Sequence, residues 1–187
     1  MKYLKPDLRS ADICVQSLKA GNIIIIPTDT VYGFSGIVDD QNNTDAKIRK
    51  IKGREETKPF IQLIAEPSDI KKYTDDVIPE NILNLWPGPL TIIVKNKNSD
   101  VTTAYRCPDD EWLNYILKET GKPIYSTSAN RSGYPILESI DEIENEFSDE
   151  VDVIIDDGDK KGGVASTIVS IENGSVKILR QGKIKIN

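Results

Sequence analysis

Hydrophobic and polar positions fall into two periods along this chain, and each period predicts an element. Ala11, Cys14, Val15 and Leu18 lie at i, i+3, i+4 and i+7, one face of a helix, with Ser10 as its cap and Gly21 as its stop. Asn22 to Pro27 holds four isoleucines in a row, a short β-branched run that suits a strand buried on both faces. The polar, glycine-punctuated stretch from Pro27 to Gly36 reads as a loop. A short basic helix is expected over 45–52, a strand over 60–65 and a weak helix over 68–73.

The same alternation continues downstream. Helical signals run from Pro79 to Leu85 and end at Trp86-Pro87-Gly88-Pro89, because proline fixes φ and supplies no N–H. Leu90 to Lys95 is the next strand. Asp110 opens a helix with Leu113, Ile116, Leu117 and Thr120 on one stripe, closed by Gly121. A short strand at Ile124-Tyr125 precedes a polar segment, and Ser139 with Glu142 spells a capping box before Ile143 and Phe147. Near the end, 167–172, Asn173-Gly174 and 175–179 form a hairpin with a type I′ turn. Strand-helix alternation argues for parallel units and the hairpin for antiparallel ones, so one α/β domain with a mixed sheet is expected over 1–187.

Composition narrows the chemistry. The 187 residues contain no histidine, which removes the Ser-His-Asp triad, the Cys-His pair, histidine-ligated zinc and a histidine general base. Cys14 and Cys107 form no metal-binding spacing and suit a reduced compartment. The longest apolar run, Ile23 to Ile26, is far below the roughly 20 residues of a membrane span, so a cytoplasmic protein without membrane contact is expected. The formal net charge is −6, which argues against bulk coating of nucleic acid.

Positive charge is nevertheless concentrated. Residues 47–58 carry six basic side chains against Glu55 and Glu56, a balance of +4 that leaves −10 for the rest. Such an island is either a phosphate or carboxylate site or a solvated helix face followed by a charged loop. The segment Ser126-Thr127-Ser128-Ala129-Asn130-Arg131-Ser132-Gly133 is either a nucleotide cradle at a strand end or a turn that satisfies only its own backbone. Thr28, Asp29, Thr30 and Tyr32 either line a pocket for a small polar ligand or cap the strand before them. Neither GxxxxGK[ST] nor GxGxxG occurs, so any nucleotide site is of another type.

Seven motifs, PTDTVYG, KGR, KPF, WPGPLT, YRCP, STSANRSG and GVASTIV, occur together in one order over roughly residues 10 to 182. In this conjunction the chain resembles the YrdC-like family of threonylcarbamoyl-adenylate synthases, which begin the synthesis of threonylcarbamoyladenosine in tRNA. The resemblance implies a twisted mixed sheet flanked by helices around a concave basic cavity. It places the family's Lys-x-Arg pair, the expected catalytic residues, on Lys52 and Arg54, and its Ser-x-Asn element on Ser128 and Asn130. ATP is expected on these four with Lys58, Thr102 and Arg180; threonine is expected on Thr30, Tyr32, Arg106, Ser126 and Ser166. The implied substrates are L-threonine, bicarbonate or CO2, and ATP with Mg2+. The implied product passes to a tRNA threonylcarbamoyl transferase, with direct tRNA contact at most weak.

The chain also departs from the pattern. Longer members carry Asn-Pro and a histidine after the Lys-x-Arg pair, where this chain has Lys58-Pro59 and Leu63, and a serine expected eight residues after Ser128 is Ile136. With no room after Gly182 for a further domain, the short, single-domain branch is expected. Two rivals share the fold: an RNA-binding or regulatory relative that makes no adenylate, and a carbamoyl-transferring domain of the hydrogenase-maturation type, which sits in a much longer chain.

Overall fold

The computed structural model describes residues 1–54, 59–172 and 174–186. Among them ten strands form one mixed sheet: β1 (Lys2–Leu4), β2 (Ile24–Ile26), β3 (Gly33–Ser35), β4 (Ile61–Leu63), β5 (Leu90–Lys95), β6 (Thr102–Arg106), β7 (Ile124–Ser128), β8 (Val153–Asp156), β9 (Thr167–Glu172) and β10 (Ser175–Arg180). Their spatial order is β1-β8-β2-β3-β7-β4-β6-β5-β9-β10. Flanking the strands are α1 (Ser10–Lys19), α2 (Thr44–Lys52), α3 (Glu80–Leu83), α4 (Glu111–Thr120) and α5 (Ile140–Phe147), with a 3-10 turn over Pro67–Lys72. β1 and β2 lie parallel to β8, β4 to β6, and β5 to β9, while the remaining pairs are antiparallel.

The isoleucine run explains how one half of the sheet is covered. Ile24 and Ile26 pack under α1 and α4 with Leu18, Leu113 and Ile116, whereas Ile23 and Ile25 point the other way, toward Ile48 of α2 and Phe147 of α5. A strand with a helix layer on each face must be apolar throughout, which is why period-two alternation is absent from it. Around the other half, Trp86, Leu90, Ile92, Tyr105 and Val169 form a third apolar cluster. β7 joins the halves, pairing with β4 through Ile124–Ser126 and with β3 through Thr127 and Ser128.

Several expectations are corrected. Ser10 is the first residue inside α1 and does not cap it; its hydroxyl donates to the Lys5 carbonyl at 2.9 Å and accepts from Trp112 Nε1 at 2.9 Å. The loop expected over 27–36 contains β3, which runs back along β2 with Ile26 opposite Gly33. Gly33 reads as punctuation but is needed for close approach, since a Cβ there would meet the Thr127 carbonyl at 3.0 Å. Ser126–Ser128 belong to β7 itself and do not follow it. At α5 no capping box forms; the Ile140 N–H is taken by Asp159 Oδ1 at 3.2 Å, a partner too distant in sequence to be foreseen. Strands β1, β6 and β8 had no sequence expectation. The hairpin is present with Ser175 opposite Glu172 and Gly174 at φ +78°, while Asn173 of the expected turn lies outside the described residues.

Asp110 performs the capping role assigned to it: its Oδ1 accepts from the Leu113 N–H at 3.0 Å, and its Oδ2 pairs with Lys5 at 2.7 Å. Replacing Asp110 with Ala is expected to cost about 1 kcal/mol, lowering the melting temperature by about 2 to 4 °C for a domain of this size. Asp110→Asn keeps an acceptor for the cap and loses only the ion pair, so its melt should fall between the two. Wild-type melting by the Ala variant would refute this role for the carboxylate.

Candidate functional site

One face of β3, β7 and β9 opens into a cavity of about 290 Å³. A larger surface depression of about 390 Å³ between 75–76 and 95–100 is lined by surface acids, amides and lysines and gathers none of the motif residues. The cavity instead collects Thr30, Tyr32, Arg54, Arg106, Ser126, Ser128, Ser166 and Arg180, with Phe60, Ile61, Ile136 and Ile168 as its apolar lining. Residues brought there span positions 28 to 180, so the site belongs to the tertiary fold and to no single motif.

Three guanidinium groups dominate the charge. Arg106, at the end of β6 and 4 % exposed, donates from Nη1 to Thr30 Oγ1 at 3.0 Å and forms an ion pair through Nη2 with Asp29. Burial pushes its pKa below the usual value, and Asp29 pulls it back. Arg180 donates from Nε and Nη2 to the Ser166 carbonyl, at 3.2 and 2.8 Å, and Arg54 lies over the Phe60 ring at 5.0 Å. Neither forms an ion pair among the described residues. Two cations with no ion pair among the described residues, beside a paired one, make the cavity a receptor for anions.

The hydroxyls differ in what they have left to offer. Thr30 Oγ1 bonds Thr28 Oγ1 at 2.9 Å, Ser166 Oγ bonds Thr91 Oγ1 at 2.8 Å, and Ser128 Oγ donates to Asn130 Oδ1 at 2.6 Å. Tyr32 presents its ring to the cavity, but its hydroxyl donates to the Gly158 carbonyl and accepts from the Asp157 N–H, both at 2.8 Å. Burial, first among the causes, raises its pKa to about 12, so it stays a neutral phenol. Ser126 Oγ has no side-chain hydrogen bond among the described residues and remains free to meet a ligand.

Three expected contacts, Thr102, Asn130 and the expected catalytic Lys52, are not brought to the cavity lining. Thr102 begins β6, exposed and opposite Lys95, at the far end of the strand from Arg106. Asn130 stands behind the cavity lining, donating from Nδ2 to the Tyr134 carbonyl at 2.6 Å. Lys58 lies outside the described residues. Sequence reasoning missed Thr91 and Ile168 as site or supporting residues, whereas Thr28, one of the pocket candidates, does line the cavity. Ile168 was detectable by its period-two spacing from Ser166, just before β9, whereas Thr91 declares itself only through the parallel pairing of β5 with β9.

Lys52 occupies a distinct place. It is 4 % exposed, and its Nζ donates to the Ser128 carbonyl at 2.5 Å, the Asn130 carbonyl at 2.8 Å and Asn130 Oδ1 at 3.1 Å. Its own carbonyl accepts from Ser132 N–H at 2.7 Å, and Arg131 Nη1 donates to the Ile51 carbonyl. The open carbonyl end of α2 is thus latched to the segment after β7. Burial and then the Arg54 charge push the Lys52 pKa down to about 8, below the 10.5 of free lysine. Between pH 8 and 10.5 the folded state holds fewer protons at this group than the unfolded state, so its contribution to stability rises with pH. Its grip on the segment falls in the same window, since a neutral amine has two N–H donors for three acceptors. Amide exchange over 128–134, corrected for intrinsic base catalysis, is expected to accelerate as pH passes about 8 in the wild type. Lys52→Met should exchange fast throughout without that step; the same step in Lys52→Met would assign it to another group.

Comparison with known proteins agrees with this geometry. Residues 16–182 match the family Sua5_yciO_yrdC, described as Telomere recombination. A putative threonylcarbamoyl-AMP synthase of Methanocaldococcus jannaschii is 35% identical over 175 residues, which cover 89% of this chain and 82% of that protein. The threonylcarbamoyl-AMP synthase of Bacillus subtilis is 32% identical over 89% of this chain and 51% of its own length. The crystal structure of P. abyssi Sua5 complexed with L-threonine superposes with a TM-score of 0.82 at 29% identity, covering 92% of this chain and 54% of that one. The chain therefore spans about half the length of the latter two relatives. By sequence and by fold, the chain belongs to the Sua5/YciO/YrdC family.

Proposed function

We infer that this chain is an L-threonylcarbamoyladenylate synthase, a nucleotidyltransferase that converts L-threonine, bicarbonate or CO2, and ATP into threonylcarbamoyl-AMP and pyrophosphate. The observation that carries this reading is the charge of the cavity: paired Arg106 on one wall, Arg54 and Arg180 elsewhere with no ion pair among the described residues, and hydroxyls between them. A guanidinium held by Thr30 and Asp29 suits a small carboxylate, and Arg54 with Arg180 suits a polyphosphate. The complex of the related P. abyssi Sua5 with L-threonine supports threonine as a substrate.

On this reading the threonine carboxylate sits on Arg106 and its hydroxyl faces Ser126. The neutral amine attacks the carbon of CO2, forming a carbamate and releasing one proton. A carbamate oxygen then attacks the α-phosphorus of ATP, and the bond to the β-phosphate oxygen breaks as pyrophosphate leaves. Arg54 and Arg180 offset charge on the transferring and departing groups, while Ser128, the last residue of β7, lines the same cavity. Carbamate formation demands little of a protein acid or base, so positioning and electrostatics can carry the catalysis without histidine. Lys52 acts behind the lining, holding Ser128 and Asn130 in place.

The described residues do not suit a resident Mg2+ site. They contain no group of three or more acidic or cysteine side chains placed to hold a metal, and the carboxylate beside the cavity, Asp29, is paired with Arg106. Magnesium on this reading arrives with the triphosphate, neutralising its charge. The mixed anhydride product is an activated acyl group, so its consumer is an acyl transferase acting on a tRNA amine. The net charge of −6 argues for at most weak tRNA contact. No described helix is long and apolar enough to cross a membrane, and the reading puts the enzyme in the cytoplasm beside that consumer.

Arg54→Ala tests the reading. The side chain makes no ion pair among the described residues, so the melt should stay within the scatter of surface substitutions. Threonine-dependent pyrophosphate release should fall by about two to three decades, the loss of about 2.7 to 4 kcal/mol typical of one charge-stabilising donor. Lys50→Ala, an exposed neighbour, controls for loss of charge alone. Unchanged turnover in Arg54→Ala would remove Arg54 from the site.

A further inference from the structure

We propose that Asp29 is a positioning residue for amino-acid binding, holding the Arg106 guanidinium at the rear of the cavity in the orientation that receives the threonine carboxylate. The inference rests on the synthase reading above and adds to it a residue that does not line the cavity. Arg106 does line it; Asp29 stands behind, its side chain 10% exposed against 5% for Arg106.

The ion pair is one-pointed. Asp29 Oδ1 takes Arg106 Nη2 and Thr30 Oγ1 takes Nη1, while Asp29 Oδ2 and Arg106 Nε, both buried, have no hydrogen-bond partner among the described residues. Two adjacent residues of one loop therefore grip the two terminal nitrogens, and the Nε side of the fork is left over. The buried Nε is left unsatisfied by the protein, so the guanidinium keeps positive charge that the protein only partly compensates, beside a cavity it lines. A planar guanidinium offers its donors in fixed directions, so what holds both terminal nitrogens fixes the plane and position of the whole charged group.

The loop itself does not depend on the Asp29 carboxylate. Thr28 Oγ1 accepts from the Thr30 and Val31 N–H groups at 3.2 and 3.3 Å and donates to the Val31 carbonyl at 2.8 Å. Lys183 Nζ donates to the Asp29 carbonyl at 2.9 Å. These bonds fix the backbone from residue 28 to 31 and leave the carboxylate with Arg106 as its one side-chain partner among the described residues. Removing its charge has two opposing effects: the cavity becomes more positive, which favours an anion, and the guanidinium loses an anchor, which misplaces it. Misplacement prevails, because displacing a group by about 1 Å can cost about 10²-fold, while added charge does not restore direction.

The experiment uses the full chain and measures threonine-dependent pyrophosphate release with threonine and ATP varied separately, beside a thermal melt, for wild type, Asp29→Asn and Asp29→Glu. Asp29→Asn is expected to raise the threonine KM by about tenfold or more with the ATP KM within about twofold of wild type. Asp29→Glu, which keeps the charge on a longer arm, should recover part of the loss. If the Asn variant does not fold, a raised threonine KM with an unchanged ATP KM in Asp29→Glu supports the proposal equally. A wild-type threonine KM in whichever of the two variants folds would overturn it, as would equal shifts in both KM values, which mark a merely structural residue. Failure of the synthase reading shows elsewhere, as wild-type protein that releases no pyrophosphate in response to threonine.

Discussion

The buried ammonium of Lys52 joins the parts of this molecule that the cavity needs together. It leaves the end of α2 and reaches three oxygens just past β7, so the helix that precedes Arg54 and the strand that carries Ser126 and Ser128 are fixed to each other. Burying a charge is costly unless it is satisfied, and here three acceptors surround it while the Phe34 ring lies 5.3 Å from it. Arg131 adds a second tie, binding the Ile51 carbonyl while pairing with Glu146 at 2.8 Å and with Glu150. Without these bonds the last carbonyls of α2 would have only water, and the segment after β7 would have no fixed relation to the basic end of the helix.

Legibility in the sequence followed the range of the interactions. Elements set by local pattern, such as α4 with Asp110 and Gly121 at its ends or the isoleucine strand β2, were readable because their signals lie within a few residues. β3 was hidden because Gly33 carries a second meaning, close approach to Thr127, that resembles a turn signal. β8, four residues of Val153–Asp156, is defined by parallel partners about 150 and 130 residues away, and no local window contains them. The site residues divide in the same way. Arg54, Arg106, Ser126, Ser128, Ser166 and Arg180 come together at the cavity as the family resemblance implied, whereas the bonds that occupy the Tyr32 hydroxyl and the Lys52 ammonium are visible only in three dimensions.

An acidic protein with a cationic cavity separates attraction from retention. The formal charge of −6 belongs to the surface as a whole, and repels polyanions at distances beyond the roughly 8 Å screening length of physiological salt. Inside that distance the three arginines prevail, because low-dielectric walls such as Phe60, Ile61 and Ile168 limit the screening. A small anion that can enter feels the arginines, while an extended one meets the acidic exterior first.

The order of strands across the sheet has a consequence for biosynthesis. The cavity takes walls from residues 28–33, 126–128 and 165–180, and Arg180 closes it from the last strand. As a ribosome extends the chain, β2 and β3 can pair early, but β8 and β9 lie more than a hundred residues downstream of them. No nascent chain shorter than about 180 residues can therefore hold a complete pocket, and ligand cannot assist folding until all ten strands have left the exit tunnel. The apolar faces of β2 and β3 are covered earlier, once α4, β7, α5 and β8 have emerged by about residue 156, so the apolar core around these strands can close while the pocket still lacks its last wall.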